Sequence, residues 1–439
     1  MLKPLLTLAT ATAVLACASV TARADTDAAT DWHQYIDART DALFDSVVDW
    51  RRHFHQHPEL SNREFETAAY IEDFLRELGL EVQTGIAHTG VVGILEGGRP
   101  GPVVGLRADM DALPVPSRAD LPFSPDVTGE YLGEEVPVSH ACGHDTHMAM
   151  LMGVAQMFAE RRDELPGTIK FIFQPAEEGT PPGEDGGAEM MVEEGVLRDP
   201  DVDVIFGQHI WSTFPVGQIG YRSGGIMAAS DQFTITIHGK QTHGSTPWTG
   251  VDPISTAAQI VLGFNQIVAR QTELTKAAAV ISVGRIRAGV RNNIIPESAE
   301  LIGTIRTLDT DMQDKIHADI RHTVEHIAAA NGATADIEIT RGYPVTYNDP
   351  ELTTRMLPSL QRIAGDKAVV IDAVTGAEDF SFFQREVPGL YFFVGGLPPG
   401  TRPEDAAPHH TPDFYIDEEG MRTGVRALAT LAIDYMLDR

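Results

Sequence analysis

From Ser139 to Met150 the chain reads SHACGHDTHMAM, with Cys142 and His144 separated by a single glycine. A thiolate and an imidazole together suit zinc and other first-row divalent metals. Positions i and i+2 face different sides of a continuous helix, but Gly143 predicts a loop in which both side chains turn to one point. Two other readings stay open on these residues. One is a core histidine beside an inert thiol; the other is a cysteine nucleophile with His144 or His209 as its base. QPAEEG adds two adjacent carboxylates, Glu177 and Glu178, between Pro175 and Gly179. Such a pair is usually solvated, but after an apolar run and beside a Cys-Gly-His loop one carboxylate can hold a metal. The other is then placed to take a proton from water. GQHIW supplies His209 and PHHTPDF supplies His409 and His410 between prolines, where one histidine can bind metal while its neighbour points away. His140 and His147 suit the supporting role of orienting ligands. For His53, His55 and His57, on an early polar helix, solvated or capping roles suffice.

These clusters need elements that bring them together. RADMDALP follows the apolar run VVGL, QPAEEG follows TIKFIF, GQHIW follows DVIF, and GHDTH opens a helix. In open α/β sheets ligands bind beyond the carboxyl ends of strands, so groups placed this way can converge although far apart in sequence. Helices alternate with these runs, which predicts an α/β sheet domain. WHQYIDARTDALFDSVVDWRRHFHQHPEL reads as one amphipathic helix. SNREFETAAYIEDFLRELGL reads as a second, opened by a capping box of Ser61 and Glu64. Between Ile226 and Arg341 the rhythm becomes β-α-β-β-α-β, the split pattern of a small two-layer domain. The α/β rhythm resumes after Gly342. The expected organisation is therefore an export signal over 1–24, a first catalytic part over 25–225, an inserted domain over 226–341 and a second catalytic part over 342–439.

Lys+Arg number 33 against 63 Asp+Glu in 439 residues, a formal charge of -30. That excess repels phosphate backbones and argues against nucleic acid and anionic membranes as partners. Lys3, an alanine-rich apolar run and the small-x-small site Ala22-Arg23-Ala24 predict a secretory signal cleaved before Asp25 and a periplasmic or secreted protein. Lipoprotein anchoring at Cys17 is the rival reading of VLAC. The run is shorter than the roughly 20 residues a bilayer needs, so no membrane insertion is expected after cleavage. Removal of Cys17 would leave Cys142 as the sole cysteine of an exported chain, with no partner for a disulfide.

Several motifs in order strongly resemble a known family. RRHFHQHPELSNREFET, GLRADMDALP, HACGHDTHMAMLMG, FQPAEEG, GAEMMVEEGVL, RNNIIPESAELIGTIRT and GAEDFSFF are similar to the aminoacylase/carboxypeptidase family of dinuclear metallo-amidohydrolases. The branch resembled holds hippurate hydrolases, N-acyl-amino-acid amidohydrolases and indole-3-acetyl-amino-acid hydrolases. The resemblance runs from about Trp50 to the C-terminus. It implies a zinc-peptidase-like α/β catalytic domain, with a central mixed sheet and helices on both faces, and an inserted α+β two-layer, ferredoxin-like lid through which a homodimer forms.

It further implies two divalent ions per subunit, of zinc, manganese, cobalt or nickel type. Their ligands would be Cys142, His144, Glu178, His209 and His410; His410 is taken over His409 because the family's histidine stands two residues before a proline, here Pro412. Glu177 would be the general base, and Asp109, Asp111 and Asp145 would support the ligands, Asp109 standing where more distant relatives have a histidine ligand. His243 matches a histidine that polarises the scissile carbonyl across a dimer, and Asn293 and Arg306 match positions that grip a substrate carboxylate. QTHGSTPW departs from the branch pattern, nearer GGHGAMPH, which reshapes the acyl pocket around Gln241, Thr242 and Trp248.

The implied activity is hydrolysis of small N-acyl or N-aroyl amino acids, with Glu177 assisting attack by a metal-activated water. A metallocarboxypeptidase or dipeptidase is the alternative. A periplasmic metal- or solute-binding protein using the same ligands is a third reading, but it needs no base.

Overall fold

TIKFIF and GLYFFVG are near-continuous apolar runs, the pattern of strands covered on both faces rather than of half-buried ones. In the computed structural model they lie in the middle of a sheet. The structure describes residues 9–438, and side chains from residue 28 onward. The side chains of the expected export segment, Cys17 among them, fall outside the described residues. Among the described residues no helix is long and apolar enough to cross a membrane.

The described chain divides into two compact units: the residues up to 221, 350–370 and those from 387 onward form one, and 222–349 with 371–386 form the other. In the first, an eight-stranded mixed sheet runs in the order Glu81–Ile86, Gly90–Glu96, Pro166–Gln174, Arg99–Asp109, Val204–Pro215, Gly389–Leu397, Ile219–Tyr221, Ala368–Val370. Its four middle neighbours, from Pro166–Gln174 to Gly389–Leu397, are mutually parallel. Their register matters for chemistry. Asp109 pairs with Gln174, and Arg107 pairs with Gly207, so Asp109 at the end of its strand lies level with His209 inside Val204–Pro215. Glu177 follows three residues beyond Gln174.

Helices His144–Glu160 and Gly420–Leu437 pack against this sheet and are buried on nearly every side, as expected of helices apolar all round. The helix Ala9–Gln56 packs on both, and Trp32 meets Phe158 at 5.7 Å between ring centroids. The helix expected to open with a Ser61/Glu64 capping box begins instead at Phe65, and neither side chain caps it. Ser61 and Glu64 are drawn away by stronger tertiary partners, described below. Glu59 takes over the capping, its carboxylate accepting from the Glu66 and Thr67 N–H groups at 3.2 and 2.8 Å.

The second unit has a four-stranded antiparallel sheet in the order Ala279–Ala288, Ser298–Thr307, Ala229–His238, Thr334–Arg341. Helices Pro253–Gln266 and Thr310–Ala330 bury Ile260, Phe264, Ile316 and Ile320 against Phe233, Ile235 and Leu301 of the sheet. Asp252 and Asp309 cap these helices through their side chains.

The boundaries expected at 226 and 341 require correction. Thr346–Asn348 pairs with Gly224–Met227, so the chain entering the unit and the chain leaving it are stitched together from 222 to 349. Residues 371–386 return to the same unit: the Val374 N–H donates to Ile226 O at 3.0 Å and the Ala228 N–H to Gly376 O at 2.8 Å. Local periodicity carries no trace of such long-range pairing.

Asp231 is fully buried on the strand Ala229–His238 of this unit. Its carboxylate faces His317 Nε2 at 2.6 Å and Gln313 Nε2 at 2.8 Å, and it accepts from the Gly342 N–H at 3.3 Å. Burial opposes its ionisation, but the hydrogen bonds from His317 and Gln313 outweigh that and hold the carboxyl below its usual value. A depressed folded pKa means stability that is present above the unfolded value near 3.9 and is lost as pH falls through the folded value. Asp231→Ala is therefore expected to cost about 2–3 kcal/mol at neutral pH, and the deficit should shrink in acid. Urea denaturation at pH values on both sides of this range checks it; an unchanged midpoint at neutral pH contradicts it.

Candidate metal centre

The loop before the helix His144–Glu160 turns on Gly143, which has φ +99° and would press a Cβ to 2.4 Å from Ile210 Cγ2. Glycine is required there, and the turn lets Cys142 and His144 address one point. Cys142 Sγ lies 3.3 Å from His209 Nε2 and 3.3 Å from His410 Nε2. His410 Nε2 is also 3.0 Å from Glu178 Oε1. His144 Nε2 stands 3.8 Å from both Glu177 Oε2 and Glu178 Oε1. Donor atoms of Cys142, His144 and His209, of Cys142, Glu178 and His410, and of His144, Glu177 and Glu178 each lie within 4.8 Å of one another. The five residues expected as ligands and the expected base are thus brought together from four separate segments of the sequence within one unit.

Hydrogen bonds sort the histidines. His209 Nδ1–H donates to Ile210 O, which leaves Nε2 with its lone pair facing Cys142. Burial, with His147 and His409 adding to it, holds His209 far below its usual pKa and hence neutral. His409 uses both nitrogens on the backbone, Nδ1 to Cys142 O at 3.1 Å and Nε2 from the Ser212 N–H at 3.2 Å, so it has none for a cation. His147 is spent likewise: Nδ1 faces Asp109 at 2.6 Å and Nε2 accepts from the Ile210 N–H at 2.8 Å. His144 differs. It is fully buried, and neither ring nitrogen makes a hydrogen bond.

The electrostatics are dominated by carboxylates. Burial alone would lower the His144 pKa, but Asp109, Asp111 and Glu178 raise it to about 10. Burial pushes the Cys142 thiol well above its usual value, and the Glu178 and Glu177 carboxylates push it further. A nucleophilic cysteine needs the opposite, a depressed pKa in positive surroundings. Asp109 is held ionised against its burial by His144, Arg107 and His147. Arg107 Nη1 donates to Asp109 at 2.6 Å, and Nε donates to Gln174 Oε1 at 2.7 Å. Asp111 Oδ1 lies 3.4 Å from His144 Nδ1, and the carboxylate accepts the Glu177 and Glu178 N–H groups at 3.0 Å each.

Asp145, expected to support the ligands, is turned elsewhere. Its buried carboxylate meets Arg51 Nε at 2.8 Å and His55 Nδ1 at 2.9 Å, tying the long first helix to the helix that starts at His144. His55 is correspondingly buried rather than solvated or capping. Its neighbour His53 stacks on Tyr70 with ring centroids 4.3 Å apart.

The remaining expected residues sit in the second unit. His243, on the short strand Thr242–His243, is exposed and its Nδ1 accepts from the Ser245 N–H at 3.0 Å. The Asn293 carbonyl accepts from the Gly244 N–H at 2.8 Å, placing it beside His243. Arg306 is half-buried on Ser298–Thr307 and donates to Ile305 O at 3.1 Å; burial lowers its pKa.

Sequence reasoning passed over Arg51 and Arg107 and gave Glu64 a helix-capping role. For Arg107 a signal existed, a charged residue inside the apolar run VVGLRA. For Arg51 and Glu64 the partners lie far along the chain.

The description of peptidase family M20/M25/M40 matches residues 105–434. Over 396 residues the chain is 42% identical to thermostable carboxypeptidase 2 of Saccharolobus solfataricus, covering 89% of this chain and 95% of that protein. It is 36% identical to N-acetylcysteine deacetylase of Bacillus subtilis over 393 residues, covering 89% and 97%. Among solved structures, the YXEP protein of Bacillus subtilis, a dinuclear metal binding peptidase, superposes with a TM-score of 0.75 at 35% identity, over 90% of this chain and 98% of that one. The chain belongs to peptidase family M20/M25/M40, as its motifs led one to expect, and is a hydrolase acting on amide bonds.

Removing a buried carboxylate strands the groups it pairs with, at a cost of about 3–5 kcal/mol. Asp145→Ala should fall at the lower end, about 3 kcal/mol, because Arg51 keeps Glu418 at 3.3 Å. Denaturant unfolding of the variant checks this, and a loss below about 1 kcal/mol, the scale of an exposed pair, contradicts it.

Proposed function

We propose that this protein is a metal-dependent amidohydrolase that cleaves N-acyl or N-aroyl amino acids to a carboxylic acid and an amino acid. The observation that carries this reading is the gathering of Cys142, His144, Glu178, His209 and His410, with Glu177 beside His144 and Glu178. Thiol, imidazole and carboxylate form a donor set suited to zinc and its first-row neighbours, and the unbonded nitrogens of His144 fit such a role. Bound by these residues, two divalent cations, of zinc, manganese, cobalt or nickel type, would polarise the amide carbonyl and ease deprotonation of water.

Glu177, nearly buried, takes a proton from water as its oxygen bonds the carbonyl carbon. It returns that proton to the nitrogen as the C–N bond breaks. Asp109 and His147 hold the sheet end on which His144 and His209 converge. The names carboxypeptidase and N-acetylcysteine deacetylase share one bond type, an amide whose nitrogen belongs to an amino acid. The roles of His243 at the carbonyl and of Asn293 and Arg306 at the substrate carboxylate rest on the family resemblance and on their chemistry, an imidazole, an amide and a planar guanidinium. Export to the periplasm and a homodimer formed through the second unit complete the reading.

Two outcomes are expected with metal-reconstituted protein. Glu177→Gln should lower turnover of N-acetyl amino acids by 10²–10⁴-fold, the usual contribution of general acid–base catalysis, while metal content stays at the wild-type level. Near wild-type turnover overturns the role of Glu177. On a panel of N-acetyl amino acids, N-benzoyl amino acids and dipeptides, the acyl amino acids should be cleaved faster, with chelator-reversible loss of activity. Faster cleavage of dipeptides would make the protein a dipeptidase or carboxypeptidase instead.

A further inference from the structure

Ala176 precedes the two glutamates of QPAEEG and has φ +53°, in the left-handed region that a residue with a Cβ enters at a cost of about 1 kcal/mol or more. Such a turn persists only where its surroundings enforce it. Three successive N–H groups on this turn are taken by two carboxylates. The Ala176 N–H donates to Glu64 Oε1 at 2.9 Å, and those of Glu177 and Glu178 donate to Asp111 at 3.0 Å each.

Glu64 is fully buried, and its other oxygen accepts from Thr89 Oγ1 at 2.6 Å. Three more residues of the same segment secure the loop and its partner Asp111. Ser61 Oγ donates to Asp111 at 2.7 Å, and Asn62 Nδ2 donates to Asp185 O at 3.1 Å. Arg63 pairs with Glu184 at 2.6 Å. The stretch Ser61–Glu64, which reads locally as a helix cap, is folded instead as a clamp on the loop that carries Glu177 and Glu178.

We propose that Glu64 is a positioning residue for Glu177: by accepting the Ala176 N–H it fixes the left-handed turn from which the Glu177 and Glu178 carboxylates project. This rests on the reading of Glu177 as the proton carrier. Glu64 acts through backbone, not on substrate, so its reach is what counts rather than its charge. Burial, with the Asp111 charge added, raises the Glu64 carboxyl to about 8, which makes a glutamine amide a close equivalent of its acid form. Glutamine keeps the acceptor for Ala176, and Thr89 can turn its hydroxyl to accept from the new NH₂ group. Aspartate keeps a carboxylate but is one methylene too short to meet Ala176 and Thr89 together.

The test compares Glu64→Gln, Glu64→Asp and Glu177→Gln with the wild-type full chain, metal-loaded, on an N-acetyl amino acid, with kcat and KM resolved. Glu64→Asp should lose about 100-fold in kcat, the scale of a displacement of roughly 1 Å at a reacting group, with KM changed only a few-fold. Glu64→Gln should restore kcat to within a few-fold of wild type. Equal losses in the two Glu64 variants, or a wild-type kcat in Glu64→Asp, overturn the inference. If Glu64→Asp keeps full kcat while Glu177→Gln is inactive, only the positioning role fails. Turnover by Glu177→Gln removes the reading on which it stands.

Discussion

Four carboxyl groups, those of Asp109, Asp111, Glu177 and Glu178, converge on the buried ring of His144, and this concentration of negative charge is the constraint the site is built around. Carboxylates out of water are costly unless paired or bound to cations. Arg107 offsets part of the charge at Asp109, and backbone N–H groups offset part at Asp111. What remains faces Cys142 and three imidazoles, one of them fixed with its lone pair inward. The same field that keeps the Cys142 thiol protonated in isolation would favour a divalent cation, and a cation would in turn draw the thiol into its ionised, ligating form.

Parallel register is what makes the convergence possible. Asp109 and Gln174 end neighbouring strands level with His209 inside the next one, so one region of the sheet presents carboxylate, turn and imidazole together. Three local conformations then aim the side chains: the left-handed glycine at 143, and the left-handed Ala176 and His410, both of which carry a Cβ. Strained backbone at functional groups is stable only when the surroundings over-determine it. Here the restraint on Ala176 comes from a segment more than a hundred residues earlier, and His410 is held by its N–H to Ala141 O at 2.9 Å.

Much of this was legible in the sequence, for physical reasons that differ by residue. Cys142, His144, Glu177, Glu178 and His209 follow apolar strands or open a helix, and the rule that ligands gather at strand ends needs only that placement. The strand Ser298–Thr307 follows from local pattern. What escaped notice depends on contacts between distant segments. Ser61 and Glu64 match a capping box, yet Asp111, Thr89 and Ala176 outcompete the helix end for their side chains. His55 looks like one of several polar histidines on a helix, and only Asp145, from another helix, makes it a buried partner. The return of residues 371–386 to the second unit likewise rests on pairing with Ile226 and Ala228, which no local periodicity encodes.

Cys142 as a metal ligand, rather than a nucleophile or a buried bystander, is central to the chemistry of this site. X-ray absorption at the metal edge of zinc-loaded protein addresses it directly. One sulfur neighbour at about 2.3 Å is expected in the wild type, absent in Cys142→Ser, with nitrogen and oxygen neighbours retained. Bound metal with no sulfur in its shell would contradict a ligand role for Cys142.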